Sequence, residues 1–183
     1  MARTTTTTLD LGHHPMSANF VEHLRALARG RPDDVWLTVA GEADGAYFEK
    51  PITYAVFEAR VRALAACLQR QYAKGERALV MLDNDDHYAV SMLACFYAGV
   101  IAVPVFPPES MRPQHLARLT GIAEDSQARC VLTSAAMRAA MTGAPDAFAQ
   151  AEMVAVDEVD LALADAWMPF SPAADDAAFL QYT

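Results

Sequence analysis

Residues 77–105 read RALVMLDNDDHYAVSMLACFYAGVIAVPV, and this stretch decides the fold. Arg77 to Leu82 is a short, nearly continuous apolar run, the pattern of a strand covered on both faces. The polar cluster that follows, Asp83-Asn84-Asp85-Asp86, can cap a helix. A carboxylate at a helix start accepts free backbone N–H groups and meets the positive end of the dipole. That capping role, assigned to Asp85 or Asp86, outweighs a metal or acid/base role for these acids. Asp86 to Ala98 then reads as a helix, Gly99 as its stop, and Val100 to Val105 as a β-branched strand. A strand, a helix and a strand in so short a span form a βαβ unit, which demands parallel pairing.

The alternation continues downstream. Pro113 to Ser126 carries Leu116, Leu119 and Ile122 at helical spacing, Cys130 to Thr133 is a strand, Ala135 to Met141 a short helix and Met153 to Val156 a strand. A looser acidic stretch, Asp157 to Asp176, leads to a last strand expected at Ala178 to Tyr182. Upstream, Asn19 and Glu22 resemble a capping box that opens a helix ending near Gly30. Val35–Val39 and Ala46–Glu49 flank Asp44-Gly45 and predict a hairpin. Thr53 caps the next helix, whose stripe of Tyr54, Phe57, Val61, Leu64, Leu68 and Tyr72 marks its buried face. Arg60, Arg62, Gln69 and Arg70 take the other side. The expected fold class is therefore α/β, a doubly wound, mostly parallel sheet with helices on both faces.

Composition excludes several roles. The chain has 183 residues, 54% of them apolar and 20% charged, with a formal charge of −9. No Lys or Arg follows Arg138, whereas eight acidic residues lie between Asp146 and Asp176. A nucleic-acid or anionic-membrane binder needs a basic face to displace counterions, so neither partner is expected. Tyr88 to Pro108 runs 21 residues without a charge, long enough for a span. Gly99 and Pro104 break it, however, and its second half is strand-like, so no membrane span is expected. Cys67, Cys95 and Cys130 are far apart and odd in number, and read as buried thiols of a cytoplasmic protein. The threonine-rich start lacks an apolar core and is no signal peptide. Residues 1–16 are expected to form a disordered tail, ahead of one domain over 17–183.

No dinucleotide glycine fingerprint, Walker loop or nucleophile elbow occurs, and the five histidines lack metal-ligand spacing. No catalytic or metal site is therefore expected within this segment. The last expected strand ends at Gln181-Tyr182-Thr183, at the carboxyl end where open α/β sheets place their ligand loops. The chain is expected to be cut at that point.

Four segments, in order, resemble the adenylate-forming superfamily of acyl-CoA synthetases, peptide-synthetase adenylation domains and luciferases. They are Ile52-Thr53-Tyr54, Lys74 to Val80, Phe96 to Pro104 and Phe179 to Thr183. Within that superfamily Val103 to Pro108, Arg118-Leu119 and Cys130 to Thr133 look most like fatty acyl-AMP ligases, although Leu82-Asp83-Asn84-Asp85 departs from the usual proline-containing turn. The resemblance implies the first half of an adenylate-forming N-terminal domain. Its parent would join a fatty acid to ATP with Mg²⁺ and pass the acyl group to the phosphopantetheine thiol of an acyl carrier protein. It also implies that Tyr182 and Thr183 begin the ATP-phosphate loop. The remaining ATP, metal and catalytic residues would lie beyond Thr183, so this segment alone is expected to bind no cofactor and to be inactive. An acyl-CoA synthetase and a small non-catalytic α/β binding domain remain as alternatives.

Overall fold

The computed structural model describes residues 19–142, 148 and 151–182. The tail expected over residues 1–16 and Thr183 both lie outside the described residues. Helix α1 (Phe20–Gly30) begins at Asn19, whose side chain accepts from the Glu22 amide at 3.0 Å. Strands β1 (Val35–Ala43) and β2 (Ala46–Thr53) form an antiparallel hairpin. Asp44 and Gly45 both take left-handed φ values, 52° and 76°, the backbone of the two-residue turn that matches strand twist. Both strands run four residues further than the sequence reading, because pairing rather than composition sets their length.

Thr53 caps α2 (Tyr54–Gln71), and Phe57, Val61, Leu64 and Leu68 are fully buried along it. Then come β3 (Arg77–Met81), α3 (Asp86–Ala98), β4 (Ile101–Val105), α4 (Pro113–Ser126), β5 (Cys130–Thr133), α5 (Ala135–Ala140) and β6 (Glu152–Ala155). These four strands form one parallel sheet in the order β4-β3-β5-β6. Successive strand residues face opposite sides, so the sheet separates two cores. Ala78, Val80, Cys130 and Leu132 pack with α1, α2 and α3. Leu79, Met81, Val103 and Val131 pack with Leu116, Leu119 and Ile122 of α4. Burying each such aliphatic side chain contributes about 1.5–3 kcal/mol, which is what selects this register.

The expected strand at Ala178–Tyr182 does not form. Phe179 makes a single parallel bridge to Ala102 on the outer edge of β4, through Ala102 N–H to the Ala178 carbonyl (3.1 Å) and Leu180 N–H to the Ala102 carbonyl (2.8 Å). The next bond of that ladder would have to come from residue 104. It is Pro104, which has no N–H, so the pairing stops after one residue.

Between β6 and this bridge the chain runs back across the molecule as a strap. It makes two short 3₁₀ turns, Val156–Glu158 and Leu161–Ala166, and then runs as irregular chain. The strap rests on the side of α2 that carries Arg62 and Gln69, away from its apolar stripe. Arg62 donates to the Ala164 carbonyl (2.9 Å). The Gln69 amide clamps Met168 twice, donating to its carbonyl (2.9 Å) and accepting from its N–H (3.0 Å). Trp167 is buried, packs on Tyr97 and donates from its indole to the Tyr97 carbonyl (3.1 Å). Phe170 lies over Gly99, whose φ of 74° and Cα face leave no room for a side chain. A Cβ there would stand 2.9 Å from the Phe170 ring.

Candidate functional site

A cleft of about 1010 Å³ opens at the carboxyl ends of β3 and β4. This is the end of the sheet at which doubly wound proteins bind ligands. Here the chain leaves β3 for β4 on one side and returns to β5 on the other, so the cleft lies one strand from the reversal. Its walls come from Leu82, Asp83 and Asn84 after β3, and from Pro104 to Glu109 at the end of β4. Tyr88 and Met92 of α3, His115, Arg118, Leu119 and Ile122 of α4, and Phe179, Gln181 and Tyr182 complete it. The lining is more apolar than polar, with Asp83, Asn84, Glu109, Gln114, His115, Arg118 and Gln181 among its polar members, a mixture found in small-molecule sites. Phe106 is 88% exposed at its mouth. The His115 ring and the Ser110 hydroxyl are hydrogen-bonded through Nδ1 at 3.0 Å, which holds the imidazole on the α4 wall.

The acidic loop after β3 divides its work. Asp85 caps α3, accepting from the Tyr88 N–H at 3.1 Å, as its position predicts. Asp86 turns inward instead. Its side chain is 6% exposed and pairs with Arg60 of α2 at 2.5 Å and with Lys50 of β2 at 3.3 Å. Burial opposes its ionisation, but the Arg60 hydrogen bond and charge, helped by Lys50, outweigh that and hold its carboxyl below the usual carboxylate range. Arg60 also contacts Nδ1 of His87 at 3.2 Å. This cluster ties the hairpin, α2 and the cleft-forming loop together. No sequence signal announces it, because its members come from three elements. Among the described residues no group of three His, Cys, Asp or Glu side chains is placed to hold a metal ion.

Of the two residues expected to open a phosphate loop, Tyr182 lines the cleft and Thr183 is outside the described residues. The Tyr182 hydroxyl donates to Asp125 near the end of α4 at 2.5 Å. Sequence reading missed this partner, although an acid in the last turn of a helix, against the dipole, is a usable signal. The thiols are not candidate nucleophiles. Burial raises the pKa of Cys67 and of Cys95, and pushes Cys130 up to about 12, so each stays protonated and unreactive.

A two-core parallel sheet with an apolar cleft at its carboxyl edge is the frame of a doubly wound α/β domain, and the comparisons with known proteins say of which kind. The family model described as "AMP-binding enzyme" matches residues 24–183, and the chain belongs to that family. It is 32% identical over 177 residues to the long-chain-fatty-acid–AMP ligase FadD32 of Mycobacterium marinum, covering 92% of this chain and 27% of that protein. It is 30% identical over 137 residues to the medium-chain-fatty-acid–acyl-carrier-protein ligase JamA of Moorena producens, covering 72% and 23%. Its fold matches the crystal structure of a fatty acyl-adenylate ligase from L. pneumophila in complex with acyl adenylate and pyrophosphate. The TM-score is 0.80 and the identity 30%, over 89% of this chain and 27% of that one. The chain thus spans about a quarter of the length of the relatives it matches. No helix among the described residues is long and apolar enough to cross a membrane.

Proposed function

We propose that residues 17–183 form the N-terminal subdomain of a fatty acyl-AMP ligase. The ligase activates a fatty acid with ATP and passes the acyl group to a carrier-protein phosphopantetheine thiol. The observation that carries this reading is the 32% identity to a fatty-acid–AMP ligase across 92% of the chain. Putative fatty-acid–CoA ligases of Mycobacterium tuberculosis and Mycobacterium bovis align at 30% over 62% of the chain and at 28% over 87% of it, neither better than the AMP ligase.

In the reaction, a carboxylate oxygen attacks the α-phosphorus of ATP and the bond to the bridging oxygen breaks, releasing pyrophosphate. The thiol then attacks the acyl carbonyl and AMP leaves. Mg²⁺ supplies charge neutralisation on the phosphates. What this chain supplies is orientation. The mainly apolar cleft offers a surface for the fatty acid, and Tyr182 and Thr183 lead into the loop that meets the phosphates.

The test is fatty-acid-dependent exchange of labelled pyrophosphate into ATP by the polypeptide carrying this chain, over acids of graded length. The second half-reaction is then offered both CoA and a phosphopantetheinylated carrier. Exchange followed by acylation of the carrier but not of CoA is the expected result. Acyl-CoA as the main product moves the assignment to an acyl-CoA synthetase, and no exchange with any acid removes the ligase reading.

A further inference from the structure

The β1–β2 hairpin closes on a two-residue turn, so its pairs alternate in kind from Ala43↔Ala46 onward. Ala43, Gly41 and Val39 exchange hydrogen bonds with Ala46, Phe48 and Lys50, whereas Glu42, Ala40 and Thr38 turn their N–H and C=O groups away from β2. The same alternation turns Tyr47, Glu49 and Pro51 away from β1. The two outer edges are therefore guarded unequally. The β2 edge carries Pro51, which offers no N–H and blocks a further strand. The β1 edge carries no proline and no lysine, and Glu42 is its one charged residue. Thr38, Ala40 and Glu42 are all exposed. Among the described residues, no backbone hydrogen bond ties them to another element.

The two ends of the hairpin are also supported unequally. At its base Trp36 stacks on Phe57 of α2, with ring centroids 4.0 Å apart, and Ile52 is buried. Toward the turn, Tyr47 and Phe48 are exposed, and the Phe48 ring lies against Gly41 of the same hairpin. A two-stranded ribbon standing in water is marginal, and a third strand along its open edge steadies it.

We propose that the outer edge of β1 is an interface between two copies of this chain, in which β1 pairs antiparallel with β1 of a second copy about a two-fold axis at Ala40. The strand suits itself as a partner. Ala40 is small enough to meet its own copy across the axis, and Thr38 of each copy stands opposite Glu42 of the other. Like charges therefore do not face each other, as they would in a register that paired Glu42 with itself. Each copy's outward N–H and C=O groups bond the other's, and the same patch is used twice, as two-fold symmetry requires. The ribbon grows to four strands in the order β2-β1-β1-β2, and Pro51 guards both edges that remain. This interface is independent of the reaction proposed above.

The test is sedimentation velocity of the polypeptide carrying this chain over a range of concentrations. A reversible monomer–dimer equilibrium is expected. Ala40→Pro removes the N–H at the axis without touching a bond to β2. It should weaken the dimer roughly tenfold, the effect of losing two backbone hydrogen bonds. Ala40→Lys brings two ammonium groups together at the axis and should weaken it a few-fold. Thr38→Lys instead meets Glu42 of the other copy, and should hold the dimer at least as tightly as wild type does. A Tm within a few degrees of wild type shows that a variant has folded, and if Ala40→Pro does not fold, the two lysine variants decide. A monomer at every concentration overturns the proposal, because the edge is then left to water or covered within the same polypeptide. So does a dimer that the Ala40 variants leave unchanged, or one that Thr38→Lys weakens as much as Ala40→Lys.

Discussion

The sheet units between Arg77 and Thr133 and the strap from Val156 to Tyr182 are held by different physics. In the sheet, every central strand residue is buried on one of two apolar faces, so hydrophobicity alone sets the register. The strap has fewer apolar anchors, chiefly Val156, Ala164 and Trp167, with Val159, Leu163 and Phe170 half-buried. Its course is fixed by side chains of α2 that bond its backbone. Buried area protects an element through many small contacts, whereas a strap tied at a few points opens locally and cheaply. The two regions should therefore fail differently when perturbed.

The largest effect is expected within the sheet. Leu79 is fully buried in the centre of β3, and Leu79→Ala should cost about 2–5 kcal/mol through lost transfer energy and a residual cavity. Denaturant titration should show the whole chain losing stability together. A loss confined to one segment would mean that the sheet is not the cooperative unit.

Gly99 is where the two regions meet. Gly99→Val forces a β-branched residue into φ 74° and against the Phe170 ring, at about 1–3 kcal/mol. Pairing it with Phe170→Ala should recover the steric part of the loss but not the backbone strain. Thermal melts of the two single variants and the double separate these contributions, and no recovery would remove Phe170 as the obstacle.

Asp86→Asn probes the polar tie between the hairpin, α2 and the cleft loop. It should cost about 1–3 kcal/mol at neutral pH by leaving the half-buried Arg60 short of its charged partner. The native carboxyl titrates below its unfolded value. Its contribution is therefore complete above the unfolded carboxylate pKa and is lost as pH falls through the native one. The stability gap between wild type and variant should be constant above about pH 5 and close below about pH 4. A gap that persists in acid would show that the carboxylate charge is not its source.

The smallest effect belongs to the strap. Gln69→Ala removes both hydrogen bonds to Met168, whose peptide can turn to water instead, so about 0.5–1.5 kcal/mol is expected. Limited proteolysis should nonetheless speed up between Ala164 and Phe170, while amide protection of β3 and β5 stays unchanged. Faster exchange in sheet and strap alike, moving in step, would erase the distinction between them.

Sequence by itself determined the parallel units, because their strands are near-continuous apolar runs and their helices carry caps and stops within a few residues. Asp85 before α3 and Gly99 after it are such local signals, and both act in the structure as their positions imply. The order of the family-like segments was legible for the same reason, since each lies within one stretch of chain. Tertiary structure alone decided the rest. Whether Arg60, Arg62 and Gln69 face water or a partner depends on segments that lie 26 to 102 residues away. The strand expected at Ala178–Tyr182 shrank to one bridge because its neighbour offers Pro104 at the position where a donor is needed. Capping and periodicity act over a few residues and can be read along the chain. A hydrogen-bond partner brought by folding leaves no mark until the two surfaces meet.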